Sequence, residues 1–180
     1  MKRVFLPFMG TGILIMSVML SPAMNAQETV GAATLWSAAT LPAPVQKIAS
    51  NYSDQCRQLG GTLPSGSEMP AIMTADLDAD GVQDYVLDPQ NLRCSAAATA
   101  FCGNGGCDIK IALSGDAYAQ PVSALGGQPT IAISSEGPIV EIWVDRTLCN
   151  ISDRSKACWA RYSWRDGKAS IVYKTRPLPQ

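Results

Sequence analysis

The stretch ACWARYSWRDGKASIVY, residues 157–173, decides the class of fold. It contains two runs rich in apolar, aromatic and β-branched residues, 157–164 and 169–173, which are typical of β-strands. Asp166 and Gly167 lie between the runs, and an Asp-Gly pair in that place favours the tight turn of a β-hairpin. The C-terminal part of the chain is therefore predicted to be antiparallel β structure.

Five further runs of the same kind precede this hairpin, at residues 71–74, 85–87, 109–114, 130–134 and 139–144. Gly, Pro, Asn and Asp separate them, as in an antiparallel meander. One helix is predicted upstream, since Pro44 suits a first helical turn and Gly60-Gly61 suits a helix end. Its apolar positions recur at helical spacing: Val45, Ile48, Ala49, Tyr52, Cys56 and Leu59. We therefore predict an α+β fold, in which an N-terminal helix packs on a largely antiparallel, disulfide-stapled β meander.

The first 26 residues have the pattern of a secretory signal peptide. Lys2 and Arg3 precede an apolar run at residues 4–20, and small residues follow at 21–26. Cleavage after Ala23 and cleavage after Ala26 both remain open. An uncleaved membrane anchor is the alternative, but a span needs roughly 20 apolar residues, and Pro and Gly interrupt this run. We predict export to the periplasm or the medium, with no stable membrane insertion after the signal is removed.

The rest of the chain, residues 27–180, is predicted to be a single α+β domain. Residues 27–41 show little periodicity and are predicted to be a loose lead-in. Residues 174–180 carry Pro177 and Pro179 and are predicted to be a disordered tail. A chain of 180 residues usually closes around one core.

Composition excludes several classes of function. The chain has no His, so Ser-His-Asp and Cys-His machinery and imidazole zinc sites are excluded. Removing Lys2 and Arg3 with the signal leaves 12 bases against 15 acids, a net charge of about −3. Such a chain lacks the positive field that attracts nucleic acid, so no nucleic-acid partner is predicted.

Six cysteines lie in the mature part: Cys56, Cys94, Cys102, Cys107, Cys149 and Cys158. An even number in an exported chain indicates three disulfides. The glycine-rich spacing favours Cys102 with Cys107, whereas Cys149 with Cys158 would link a hairpin and Cys56 with Cys94 follows by elimination. A redox pair or a four-Cys zinc site is disfavoured, because the chain contains no C-x-x-C.

The strongest chemical signal is DLDADGVQD, residues 76–84. Its oxygen ligands stand at the loop positions that wrap calcium: Asp76, Asp78, Asp80, the carbonyl of Val82, and Asp84. Gly81 at the sixth position allows the sharp turn that such a loop requires. The Glu of an EF-hand is replaced by Leu87 and the flanks resemble strands, so a helix-loop-helix sensor is not predicted. The alternative is a turn in which Asp side chains bond their own backbone.

This loop resembles the calcium loops of FG-GAP and VCBS-type repeats. The wider chain, with its upstream helix and the segment FCGNGGC at residues 101–107, is similar to small exported bacterial proteins of unassigned function. FG-GAP propellers repeat the loop in several blades, whereas this chain has one copy. The resemblance implies a calcium-braced β-hairpin that uses the same five residues, and it implies no activity.

Charge is unevenly distributed along the chain. Residues 58–92 contain six acids and no Lys or Arg, whereas residues 146–176 contain eight bases and two acids. One interpretation is that both blocks are simply solvated faces. The other is that the acidic block forms an ion site and the basic block forms a contact surface.

Two classes of function follow from these patterns. The first is an exported, calcium-binding, disulfide-stabilised, non-catalytic module that binds an unknown macromolecule or envelope component. The alternative is a carboxylate-dependent, glycosidase-like hydrolase in the cell envelope, for which Glu136, Glu141 and Asp145 are the candidate acids.

Overall fold

The computed structural model describes residues 40–178 of the protein. Within this range the chain forms one α-helix and nine β-strands. In chain order they are α1 (Ala43–Gln58), β1 (Ala71–Ala75), β2 (Asp84–Asp88), β3 (Cys102–Gly103), β4 (Gly106–Ala112), β5 (Val122–Gly126), β6 (Pro129–Ser134), β7 (Gly137–Val144), β8 (Lys156–Arg165) and β9 (Lys168–Pro177). The combination of one helix with antiparallel sheets confirms the α+β class.

The strands form two sheets in which every pair is antiparallel. The first sheet contains β1, β2 and β4 side by side, with β3 and β5 also paired to β4. The second sheet contains β6, β7, β8 and β9 in chain order. The meander that the sequence predicts therefore holds without interruption for the second sheet.

The helix and the two sheets lie in three layers. Because successive side chains of a strand point to opposite faces, Ile72 of β1 packs towards the helix and Met73 packs towards the second sheet. The helix buries Val45 and Tyr52 in the first of these interfaces, together with Leu87. The second interface joins apolar residues of both sheets: Val86, Ile109 and Ile111 from one and Val140, Ile142 and Ala160 from the other. The first sheet is thus the middle layer.

Helix α1 ends where the sequence predicts. Gly60 adopts a φ of 82°, and the N–H of Gly61 donates to the carbonyl of Cys56 over 2.9 Å, which closes the last turn. A side chain at Gly61 would come within 2.8 Å of the Cys94 Sγ. Glycine at this position therefore lets the helix end approach the segment that carries Cys94.

The last two strands form the predicted hairpin. Asp166 and Gly167 have φ values of 51° and 70°, the positive pair that a type I′ turn requires. Strand β9 continues to Pro177, which pairs with Lys156 of β8. The prediction of a disordered tail is therefore wrong for residues 174–177, because pairing with β8 orders a polar run that has no apolar signal of its own. Residues 179–180, the lead-in up to residue 39 and the predicted signal peptide lie outside the described residues.

All three predicted disulfides are present: Cys56–Cys94, Cys102–Cys107 and Cys149–Cys158. The first links α1 to the segment after β2, the second joins β3 to β4, and the third joins β8 to the short turn after β7. Three disulfides are consistent with an oxidising compartment. No helix within residues 40–178 combines the length and apolarity that a membrane span requires.

The two sheets lie close together at Gly126, the last residue of β5. A side chain there would overlap Ile142 and the carbonyl of Trp143. The next residue, Gly127, donates its N–H to that carbonyl over 2.7 Å. This contact fixes the end of β5 against β7 and brings Trp143 beside the first sheet.

Candidate metal centre

The acidic loop predicted from the sequence joins β1 to β2. Ala79 and Gly81 adopt positive φ values of 62° and 83°, so the chain reverses within a few residues. Leu77 is buried and anchors the loop in the core between the sheets. The loop is therefore held at its base while its acidic residues cluster on one side.

Asp84 is the most enclosed member of the cluster, with no exposed surface. Its Oδ2 accepts from the Leu77 N–H over 2.6 Å, and its Oδ1 accepts from the N–H and the Oγ of Ser114, each over 2.7 Å. Buried carboxylates are stable only when such donors surround them. Asp84 therefore ties the loop to the segment that follows β4.

Asp76 and Asp78 complete a close group with Asp84. One carboxylate oxygen from each of the three lies within 4.8 Å of the others. Asp76 accepts from the N–H groups of Asp80 and Gly81 over 3.0 and 2.9 Å. Since calcium binds oxygen at about 2.3–2.6 Å, oxygens on opposite sides of one ion are roughly 5 Å apart. The separations within this group therefore suit a single cation.

The other two predicted ligands lie in the same loop but outside this close group. Asp80 accepts from the Val82 N–H over 2.7 Å with one oxygen and from the Ser114 Oγ over 2.9 Å with the other. The side chain of Val82 is exposed. Within residues 40–178, the carbonyl of Val82 accepts no hydrogen bond from the protein. The structure thus brings Asp76, Asp78 and Asp84 together and turns Asp80 towards Ser114.

The cluster carries negative charge without a compensating base. None of its four Asp residues forms an ion pair with a Lys or Arg of the described chain. Burial raises the pKa of Asp78 above its usual value, and the neighbouring carboxylates Asp84, Asp80 and Asp76 raise it further, against one backbone hydrogen bond that lowers it. The arrangement therefore favours a bound cation.

Residues 114–118 line the cluster, and sequence reasoning did not identify them. The hydroxyl of Ser114 contacts both Asp80 and Asp84, and a side chain at Gly115 would come within 2.9 Å of the Asp78 Oδ2. Tyr118 donates its hydroxyl to the Gln83 carbonyl over 2.9 Å. These residues lie about thirty positions from the loop in sequence, so no local pattern could have indicated them.

The three acids weighed for catalysis have structural contacts in the four-stranded sheet. Glu141 is buried and forms ion pairs with Arg161, over 2.9 Å, and with Arg176. Glu136 is exposed and pairs with Arg165. Asp145 accepts from the N–H and the hydroxyl of Thr147, and these bonds lower its pKa. None of these contacts favours the hydrolase alternative.

The comparisons with known proteins give no match. No protein-family model matches the chain, and neither a curated protein nor a solved structure is significantly similar to it. The resemblance to FG-GAP and VCBS-type loops therefore rests on the spacing of residues 76–84 alone.

Proposed function

We propose that the protein is an exported, non-catalytic binding module. Calcium braces its β1–β2 hairpin, and three disulfides stabilise the fold. The observation that carries this proposal is the close group of Asp76, Asp78 and Asp84, whose oxygens lie within 4.8 Å of one another. Calcium prefers carboxylate and carbonyl oxygens, and six to eight of them. Asp80, the Val82 carbonyl and water would supply the remaining ligands.

The hydroxyl of Ser114 gives further support for a cation. It lies 2.7 Å from a carboxylate oxygen of Asp84 and 2.9 Å from one of Asp80. A hydroxyl carries one proton, so it donates fully to only one of the two carboxylates. A cation beside them would offset the negative charge that this proton leaves uncompensated.

The role of the ion would be stability. The loop joins two adjacent strands, so binding has no pair of helices to open as it does in sensor proteins. The ion would instead hold the hairpin against the segment after β4. The partner of the module would be a macromolecule or an envelope component in the periplasm or outside the cell. The calcium loop would not be part of the surface that binds this partner.

The test measures thermal unfolding of metal-stripped protein with and without calcium. If calcium binds only the folded state, a concentration of 100 times Kd adds about 2.7 kcal/mol to the free energy of unfolding. The double variant Asp78→Ala, Asp80→Ala should lose this gain. The matched control Asp54→Ala, Glu136→Ala removes two acids from exposed ion pairs and should keep it, because such pairs are worth little. If adding calcium left the Tm of the metal-stripped wild-type protein unchanged, the calcium site would be rejected.

A further inference from the structure

The four-stranded sheet and the first sheet together line a cleft. Val140, Ile142 and Ala160 point into the core, so their neighbours Trp143 and Trp159 point outwards. The two tryptophans lie directly opposite each other on β7 and β8. They line a cleft of about 720 Å³ that also contains Gly127 and the Cys102–Cys107 disulfide. We call this feature the Trp cleft.

The walls of the Trp cleft offer flat apolar surface. Trp143, the second-to-last residue of β7, is 38% exposed, although tryptophan is highly buried on average. It packs against Gly127, where a side chain would come within 3.0 Å of the indole ring. The guanidinium of Arg176 lies 5.3 Å from the ring centre of Trp159 and is itself held by Glu141. Both indoles are therefore fixed in position while part of their surface stays open.

The rim of the Trp cleft offers polar groups that the protein leaves free. The side-chain amides of Gln90, Asn104 and Gln128 line it and make no hydrogen bond to any residue between 40 and 178. Arg93 donates to two backbone carbonyls, but it forms no ion pair with an acid in the described chain. No Asp or Glu among residues 40–178 lines the cleft. The amides therefore offer both hydrogen-bond donors and acceptors, and the one charged side chain among the described residues that line the cleft, Arg93, is positive.

This combination selects one class of ligand. An apolar ligand would cover the amides and Arg93 without pairing them, which costs free energy. A cationic ligand would meet Arg93 without a neighbouring acid. A sugar ring, by contrast, has an apolar C–H face that packs on an indole and a rim of hydroxyls that bond amides, and a carboxylate on it would pair with the guanidinium of Arg93.

We propose that the Trp cleft binds an oligosaccharide that carries carboxylate groups. This inference names the class of partner for the proposed binding module. It rests on the proposed non-catalytic binding role and does not depend on calcium binding. The acidic loop and the Trp cleft lie at opposite ends of β4, since Ser114 follows the end of this strand and Gly106 at its start lines the cleft. A failure to bind calcium would therefore say nothing about the sugar site. Calcium binding and sugar binding are measured separately.

The experiment titrates the full mature protein with hexagalacturonate by isothermal calorimetry, with maltohexaose as the neutral probe. We expect hexagalacturonate to bind and maltohexaose to bind at least about tenfold more weakly, a difference of about 1.4 kcal/mol. Trp143→Ala and Trp159→Ala should each lower the affinity at least tenfold. Trp143→Phe should retain part of it, and Arg93→Gln should bring the affinities for the two probes together.

Tyr173→Ala is the matched control, since Tyr173 is 44% exposed and lies on the opposite face of the same sheet. It should leave binding unchanged. Thermal unfolding shows whether each variant is folded, and the calcium-dependent rise in Tm should persist in the tryptophan variants. If hexagalacturonate did not bind at concentrations up to about 10 mM, tenfold above the Kd of a weak millimolar complex, the proposal would be overturned. Equal binding of both probes, or binding that Trp143→Ala leaves intact, would do so as well.

Discussion

Two conservative substitutions in the acidic loop should have opposite effects on the calcium-free protein. In Asp84→Asn, one amide oxygen still accepts from Ser114, but the amide nitrogen replaces the oxygen that accepts from the Leu77 N–H over 2.6 Å. Two donors then face each other in a site with no exposed surface. A buried unsatisfied donor costs about 1–3 kcal/mol, and the bonds to Ser114 lose about 1 kcal/mol more when their acceptor becomes neutral. We expect a loss of about 2–4 kcal/mol.

Asp78→Asn should instead leave the calcium-free protein as stable as the wild type or slightly more stable. Among the described residues, Asp78 accepts one hydrogen bond, a long one of 3.3 Å from the Asp80 N–H. Its carboxylate is crowded by Asp84, Asp80 and Asp76. Removing one like charge relieves that repulsion, and since the site is partly exposed to solvent the gain should be about 1 kcal/mol or less. With calcium the sign should reverse, because the substitution removes an anionic ligand.

The assay is urea unfolding of metal-stripped protein, followed by circular dichroism with chelator and again with calcium. Both substitutions preserve side-chain shape, so differences in the midpoint at constant m report stability alone. If Asp84→Asn proved neutral with chelator, the hydrogen bonds to Leu77 and Ser114 would not hold the loop as we argue. If Asp78→Asn destabilised the chelated protein by more than about 1 kcal/mol, the repulsion argument would be wrong.

Two further predictions concern the disulfides and pH. In the chain-entropy model, closed loops of 38, 9 and 5 residues are worth about 3.9, 2.6 and 2.1 kcal/mol, so paired Cys→Ala variants should lose stability in the order Cys56–Cys94, Cys149–Cys158, Cys102–Cys107. Urea unfolding would contradict the model if the shortest loop cost most. Burial raises the pKa of Asp88, against a bond from the Gln90 N–H that lowers it. The folded state therefore holds the proton of Asp88 more tightly than the unfolded state does. The stability that this gives is fully present below the unfolded pKa of about 3.9 and is lost as pH rises through the raised pKa of the folded state. Asp88→Asn keeps the acceptor and stays neutral, so its stability relative to wild type should increase as pH rises from 4, and an unchanged difference would contradict this.

The sequence predicts the elements whose signals are local. The final hairpin follows from Asp166-Gly167 and its apolar flanks, and helix α1 follows from its spacing and its terminal glycines. Strand β5 was missed because VSALG mixes small and polar residues, and it is a strand only because it pairs with β4. The same reason explains the missed end of β9.

The acidic site divides in the same way. The spacing of residues 76–84 predicts that Asp76, Asp78 and Asp84 converge, but it does not show that Asp80 turns away from them towards Ser114. The contribution of Ser114 depends on the pairing of β2 with β4, which brings together residues about thirty positions apart. The division of the strands into two sheets likewise depends on which apolar faces meet. Because every predicted strand has an apolar face, the sequence does not show which strands share a sheet.

The placement of the disulfides has a consequence for how the chain folds. One bond joins β8 to the short turn after β7, one lies within the five-stranded sheet, and one joins the helix to the segment after β2. None crosses from one sheet to the other. The β6–β9 meander spans contiguous residues, whose local contacts are the kind that form quickly. Oxidation can therefore be complete in each part before the sheets dock, and the docking step depends on apolar packing and on the contact at the end of β5, with no disulfide across it. A nascent chain with all three correct bonds would still have to bring its two sheets together, which requires contacts between residues far apart in sequence.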